Sequence, residues 1–131
     1  MIIEINTQSA MPIYEQLRDQ IVLGIASKKL ISGEALPSVR NLAGDLGINF
    51  HTVNKAYALL CEQGYIVMDR RQGAVIAPGA PGGEAFIKNL TQGLSLYAAE
   101  AICRNMSESE FIALCEASYH AAAGDRKDVI S

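Results

Sequence analysis

The chain has 131 residues, of which half are hydrophobic and 19% charged, with three cysteines and no tryptophan. That composition supports one globular domain plus a small appendage, and no apolar run approaches the roughly 18 residues needed to span a bilayer. A net charge of −3 argues against a nucleic-acid partner only if it is spread evenly, and it is not: residues 1–78 carry seven Lys/Arg and seven Asp/Glu, residues 79–131 four and seven.

The first segment is therefore neutral, and Arg40, Lys55, Arg70 and Arg71 can still converge on one face. Local potential rather than net charge sets DNA affinity. The start, MIIEINTQSA, has neither the basic opening nor the apolar run of a signal peptide, so a cytoplasmic protein is expected. Cys61, Cys103 and Cys115 are odd in number and form no C-x-x-C pair, which argues against a disulfide framework or a zinc site. They are expected as small buried residues on helices, with a redox-sensing thiol as the alternative.

In chain order, Ile2–Ile5 reads as a short strand. Pro12 suits the first turn of a helix, where its missing N–H costs nothing. Ile13, Leu17, Ile21 and Ile25 follow at four-residue steps, predicting an amphipathic helix to about Lys29 with Lys28 and Lys29 favouring its C-terminal dipole. Ser32-Gly33 breaks the pattern. Pro37-Ser38 opens a shorter helix with Val39, Leu42, Ala43 and Leu46 inside. Gly47 stands where a left-handed residue would end it. Ile48 is a buried link, and Asn49 caps the next helix. Helix, glycine-containing turn, helix is the spacing of a helix-turn-helix.

The stretch Asn49–Gln63 has two characters. Val53, Ala56, Tyr57 and Leu60 recur at three-and-four spacing as a buried stripe. Asn49, His51, Thr52, Asn54 and Lys55 crowd hydrogen-bonding side chains at its front. A helix with an apolar back and a polar tip is what a DNA recognition helix requires. Gly64 ends it. Tyr65–Asp69 reads as a strand, Arg70-Arg71-Gln72-Gly73 as a hairpin turn, and Ala74–Ala77 as the returning strand. The two strands form a wing with two arginines at its tip, placed for phosphate or minor-groove contact.

Residues 79–83, GAPGG, follow Pro78 as a linker between a domain at 1–78 and a tail at 84–131. A long helix fits residues 84–105, with Ile87, Leu90, Leu94, Tyr97, Ala98 and Ala101 along one side and Phe86, Leu96 and Ile102 widening it. Ser107 and Glu110 make a capping box for a last helix carrying Phe111, Ile112, Cys115, Tyr119 and Ala122. Gly124 stops it, and DRKDVIS is expected to fray. Two helices enclose no core of their own. Their apolar faces must meet either the first domain or a second copy. The expected outcome is a dimerisation element using Leu90, Leu94, Tyr97, Ala101, Phe111, Cys115 and Tyr119. The fold class is thus mainly α with a small β-wing: a winged helix-turn-helix followed by a helical hairpin.

Taken together, PIYEQLRDQI, LPSVRNLAGDLGI, HTVNKAYALL and GYIVMDRRQGAVIA resemble the GntR family of bacterial transcription regulators, over about residues 10–78. The two-helix tail resembles its YtrA-type subfamily in length and helical character. The resemblance implies a homodimer on an inverted-repeat operator. It implies DNA contacts from Ser38 and Arg40, with Arg40 reading a guanine, and from Asn49, His51, Thr52 and Lys55. Tyr57 either reaches a phosphate or packs. Gly73 matches the wing-tip glycine after Arg70 and Arg71. Asn41, Phe50 and Asn54 depart from the family's usual residues, which bears on the operator sequence; Phe50 either touches a thymine methyl or covers the turn.

The expected function is a sequence-specific DNA-binding repressor, with a winged-helix protein-interaction adaptor as the alternative. An enzyme is not expected: His51 and His120 lie in different modules, with no Ser/His/Asp or paired-carboxylate arrangement. No cofactor or metal is implied. The expected partners are double-stranded DNA and a second copy of the chain, without a membrane. A tail of this size is too small for the roughly 300 Å3 pocket of a metabolite, so any small-molecule effector is expected at the dimer interface.

Overall fold

A computed structural model describes residues 2–124; the expected fraying of Asp125–Ser131 lies outside them. The chain divides into two compact units, Met1–Ala80 and Pro81–Ser131. The first contains helices α1 (Ile13–Ala26), α2 (Val39–Leu46) and α3 (Phe50–Glu62), then strands β1 (Ile66–Asp69) and β2 (Gly73–Ile76). The second contains α4 (Glu84–Cys103) and α5 (Glu108–Ala123).

The anticipated stripe of α3 forms the centre of the first unit. Val53, Ala56, Tyr57 and Leu60 are all buried and join Leu17 and Ile21 of α1, Leu42 and Ala43 of α2, and Ile66 and Ile76 of the wing. The turn between α2 and α3 has a local cause. The Ile48 amide donates to the Ala43 carbonyl (3.0 Å) and the Gly47 amide to the Gly44 carbonyl (3.3 Å). This six-to-one and five-to-two pairing needs a left-handed residue between helix and link. Gly47 supplies it at φ +66. A Cβ there would meet nothing within 4 Å, so the backbone conformation alone calls for glycine.

Several local expectations are corrected. Ile2–Ile5 forms no strand. Gln16 and Gln20, one turn apart on α1, stand in for a partner strand. Their side-chain oxygens accept from the Asn6 and Glu4 amides, both at 2.9 Å, and their amide groups donate back to the Asn6 and Glu4 carbonyls. Helix α1 ends at Ala26, before Lys28 and Lys29, because Lys28 turns left-handed at φ 64. β1 begins at Ile66, while β2 begins at Gly73 and ends at Ile76.

The wing also has a third side. Residues 33–36 run against β2: the Gly33 amide donates to the Ile76 carbonyl and the Leu36 amide to the Ala74 carbonyl, both at 2.8 Å. The Ile76 amide returns to the Glu34 carbonyl at 2.9 Å, and Ala35 pairs with Val75. The wing is thereby tied to the segment that leads into α2.

In the second unit, α4 stops at Cys103 rather than 105. Asn105 is left-handed at φ 63, the Met106 amide donates to the Ala101 carbonyl and the Asn105 amide to the Ile102 carbonyl, both at 3.0 Å. Asparagine here does what glycine does after α2. The capping box at α5 is present: Ser107 Oγ accepts from the Glu110 amide and the Glu110 carboxylate from the Ser107 amide. Hydrogen bonding from Ser107, its amide first and then its side chain, holds the exposed Glu110 carboxyl below its ordinary pKa. Gly124 ends α5 in a left-handed conformation. None of the side chains of α4 or α5 is buried. The cysteines are not core residues either: Cys103 is exposed, and Cys61 and Cys115 are half-buried.

Leu60 is fully enclosed by the first unit's core. Leu60→Ala should therefore lower the unfolding free energy by about 2–5 kcal/mol in a urea titration. A change within experimental scatter would mean that α3 is not the central packing element.

Candidate nucleic-acid interface

The front of α3 is open where its back is closed. Asn49, His51, Asn54 and Lys55 are exposed, Thr52 is half-buried, and Arg40 projects exposed from the first turn of α2. Asn49 and Ser38, both exposed, also cap their helices. Asn49 Oδ1 accepts from the His51 amide at 2.7 Å, and Ser38 Oγ accepts from the Asn41 amide at 3.1 Å. The Asn49 amide NH2 and the Ser38 hydroxyl proton remain available for a further acceptor.

The cations on this side rest on aromatic rings. The Arg40 guanidinium lies over the Phe50 ring, 5.1 Å from its centroid. Lys55 Nζ lies 4.1 Å from the centroid of Tyr14, so α1 supports the basic residue of α3. The Phe50 ring meets His51 edge-on, with centroids 5.0 Å apart. Neither aromatic platform was anticipated from sequence, since each joins residues from different helices. Arg18 is engaged elsewhere, pairing with Asp19 (3.0 Å), donating to Gln63 and lying over Tyr65.

Tyr57, one of the expected contact residues, is placed behind this face. It is buried, and its hydroxyl donates to the Pro37 carbonyl at 2.8 Å. Burial pushes its pKa up to about 12, so the hydroxyl stays neutral and keeps its proton for that bond. Of the two roles considered for it, packing is the one its position serves. It fixes the start of α2, two residues before the turn that carries Arg40.

At the wing tip Arg70 and Arg71 are exposed, and Gly73 takes φ +75. Asp69 organises the turn: its Oδ1 accepts from the amides of Arg71 (2.7 Å) and Gln72 (3.0 Å). These bonds lower the Asp69 pKa. A side chain that bonds its own backbone two and three residues on holds a tight turn without a longer loop. Half-burial raises the Cys61 thiol on α3, which disfavours the reactive thiolate there.

In the second unit α4 and α5 flank an open apolar groove of about 650 Å3 lined by Leu94, Tyr97, Ala101, Phe111, Cys115 and Tyr119 among others. The expected size limit is thus exceeded, by an open cleft rather than an enclosed pocket. Leu90, Leu94, Tyr97 and Tyr119 are exposed, Tyr119 by 77%. Ala101, Phe111 and Cys115 are half-buried. No helix among the described residues is long and apolar enough to cross a membrane, and no cluster of His, Cys, Asp or Glu there could hold a metal ion.

The profile of the bacterial regulatory proteins of the gntR family matches residues 12–76, the segment that holds helices α1 to α3 and the wing. An HTH-type transcriptional regulator of Bacillus subtilis, YhcF, is 33% identical over 101 residues, covering 77% of this chain and 80% of its own. The chain belongs to the gntR family. It is a transcription regulator, not an enzyme. Its relatives include the B. subtilis repressor YtrA, 38% identical over 60% of each chain. Among solved structures, YtrA of Sulfolobus acidocaldarius has a TM-score of 0.63 at 39% identity, covering 77% of this chain and 99% of its own. A transcriptional antiterminator of Listeria monocytogenes EGD-e has a TM-score of 0.87 at 26% identity, covering 95% and 94%. The family match reaches from α1 through the wing and stops short of the tail.

The Asp69 turn has a pH signature. A carboxyl with a lowered pKa in the folded state stabilises it above the ordinary value of 3.8, and that contribution disappears as the pH falls through the lowered value. The protection of the Arg71 and Gln72 amides, measured as exchange relative to their intrinsic rates, should therefore persist at neutral pH and be lost below that range, and Asp69→Ala should remove it throughout. Exchange in the variant matching that of the wild type at neutral pH would contradict this role.

Proposed function

We propose that this regulator is a cytoplasmic repressor that binds an inverted-repeat DNA operator as a homodimer. The observation that carries this reading is the exposed polar tip of α3, with Arg40 beside it, on a helix whose opposite side is fully buried. In this reading residues 1–78 are the DNA-binding domain, 79–83 the linker and 84–131 the dimerisation element. Each copy lays α3 in a major groove. Arg40, Asn49 and His51 meet base edges, and the Arg40 fork suits the two acceptors of guanine. Thr52, Lys55 and the Ser38 hydroxyl meet phosphates, while Arg70 and Arg71 steady the flank. Gly73 brings the wing backbone close to the minor groove.

Support for a pair comes from the tail. Its apolar side chains lack a core, and a second copy would cover Leu90, Leu94, Tyr97 and Tyr119. Pairing matters because engaging two half-sites together multiplies modest single contacts. The apolar groove also offers room for a small-molecule effector. The repressor role follows that of the relative B. subtilis YtrA, a transcriptional repressor.

Arg40→Ala should weaken binding to a selected operator by about 1–3 kcal/mol and relax one base position. Fluorescence anisotropy on a panel of single-base variants measures both, and unchanged preference would remove Arg40 from the reading face. Affinity should also fall steeply with salt, as phosphate contacts require. A salt-insensitive complex would favour the protein-interaction adaptor instead. Leu94→Lys should shift sedimentation from dimer to monomer and lower operator affinity about 100-fold or more. A wild-type protein that sediments as a monomer would defeat the homodimer.

A further inference from the structure

We propose that Phe50 is a positioning residue for base recognition, holding the Arg40 guanidinium over its ring before DNA arrives. The proposal rests on the DNA-binding reading above and adds a residue to it. Phe50 is the first residue of α3 and Arg40 the second of α2, so the contact spans the helix-turn-helix turn at its outer end. The guanidinium carbon lies 5.1 Å from the ring centroid. The ring is itself steadied edge-on by His51 and is 38% exposed.

The chemistry of the support matters. Among the described residues no carboxylate pairs with Arg40. A carboxylate would hold the arginine by taking its N–H groups, the donors a guanine needs. A ring holds the cation by its π-face and takes none of them. Arginine is also rotamer-rich, and a side chain already restrained loses less freedom on binding. The same ring, occupied by Arg40 on one face and His51 at its edge, has less surface left for a thymine methyl.

The test uses the full chain and the duplex the wild type selects from a random pool. Phe50→Leu keeps an apolar side chain and removes the ring, whereas Phe50→Tyr keeps the ring. Phe50→Leu should lower the preference for guanine at the position that Arg40→Ala relaxes, by roughly two- to fivefold. Phe50→Tyr should restore it. The double variant Arg40→Ala/Phe50→Leu should show no further loss there beyond Arg40→Ala. Thermal unfolding of each variant separates misfolding from altered recognition, and Phe50→Met replaces the leucine if that variant unfolds. Full guanine preference in Phe50→Leu overturns the inference. So does a loss that falls instead at a neighbouring thymine, or an additive double variant. If the wild type selects no duplex, the DNA reading itself fails; if it selects one and Phe50→Leu behaves like it, only the positioning role fails.

Discussion

Recognition by short side chains depends on a helix that does not move, and the buried stripe of α3 provides that constraint. Val53, Ala56 and Leu60 are wholly enclosed, and Tyr57 adds a directed bond to the Pro37 carbonyl. That bond links the middle of α3 to the start of α2. The α2–α3 turn is closed at its other end by the paired amides of Gly47 and Ile48. Arg40 therefore stands on a helix anchored on both sides, and the polar tip of α3 keeps a defined separation from it. Close packing of this kind tolerates little displacement.

Much of this unit was legible in the sequence because its causes are local. The three-and-four spacing fixed the inward side of each helix, and Ser38, Gly47, Asn49 and Ser107 marked helix boundaries through capping chemistry that acts within a few residues. The failures have an equally physical origin. Residues 33–36 lack any strand pattern and run beside β2 because it offers them hydrogen bonds. The apolar start at Ile2 looked like a strand and instead lies along two glutamines of α1. Lys28 and Asn105 end their helices by adopting left-handed conformations, a choice weakly encoded outside glycine.

The face itself was partly legible. The exposed polar residues of α3 followed from periodicity, but their supports did not. Phe50 under Arg40 and Tyr14 under Lys55 join residues ten and forty-one positions apart, and no helical repeat predicts such a meeting. Tyr57 shows the converse: its place in the apolar stripe was plain, while its hydroxyl's acceptor lay in another element. In the tail, the amphipathic pattern of both helices was legible from residue spacing. The periodicity of one chain does not encode what covers that pattern.

In the proposed complex α3 presents its tip, with Arg40 and the wing, to a duplex. The most direct measurement is hydrogen exchange of the full chain with and without a selected DNA duplex, at moderate salt. The expected result is slowed exchange around residues 38–41, 49–55 and 70–73, with α4 and α5 equally protected in both samples. Protection confined to α4 and α5, with the tip of α3 unchanged, would contradict it.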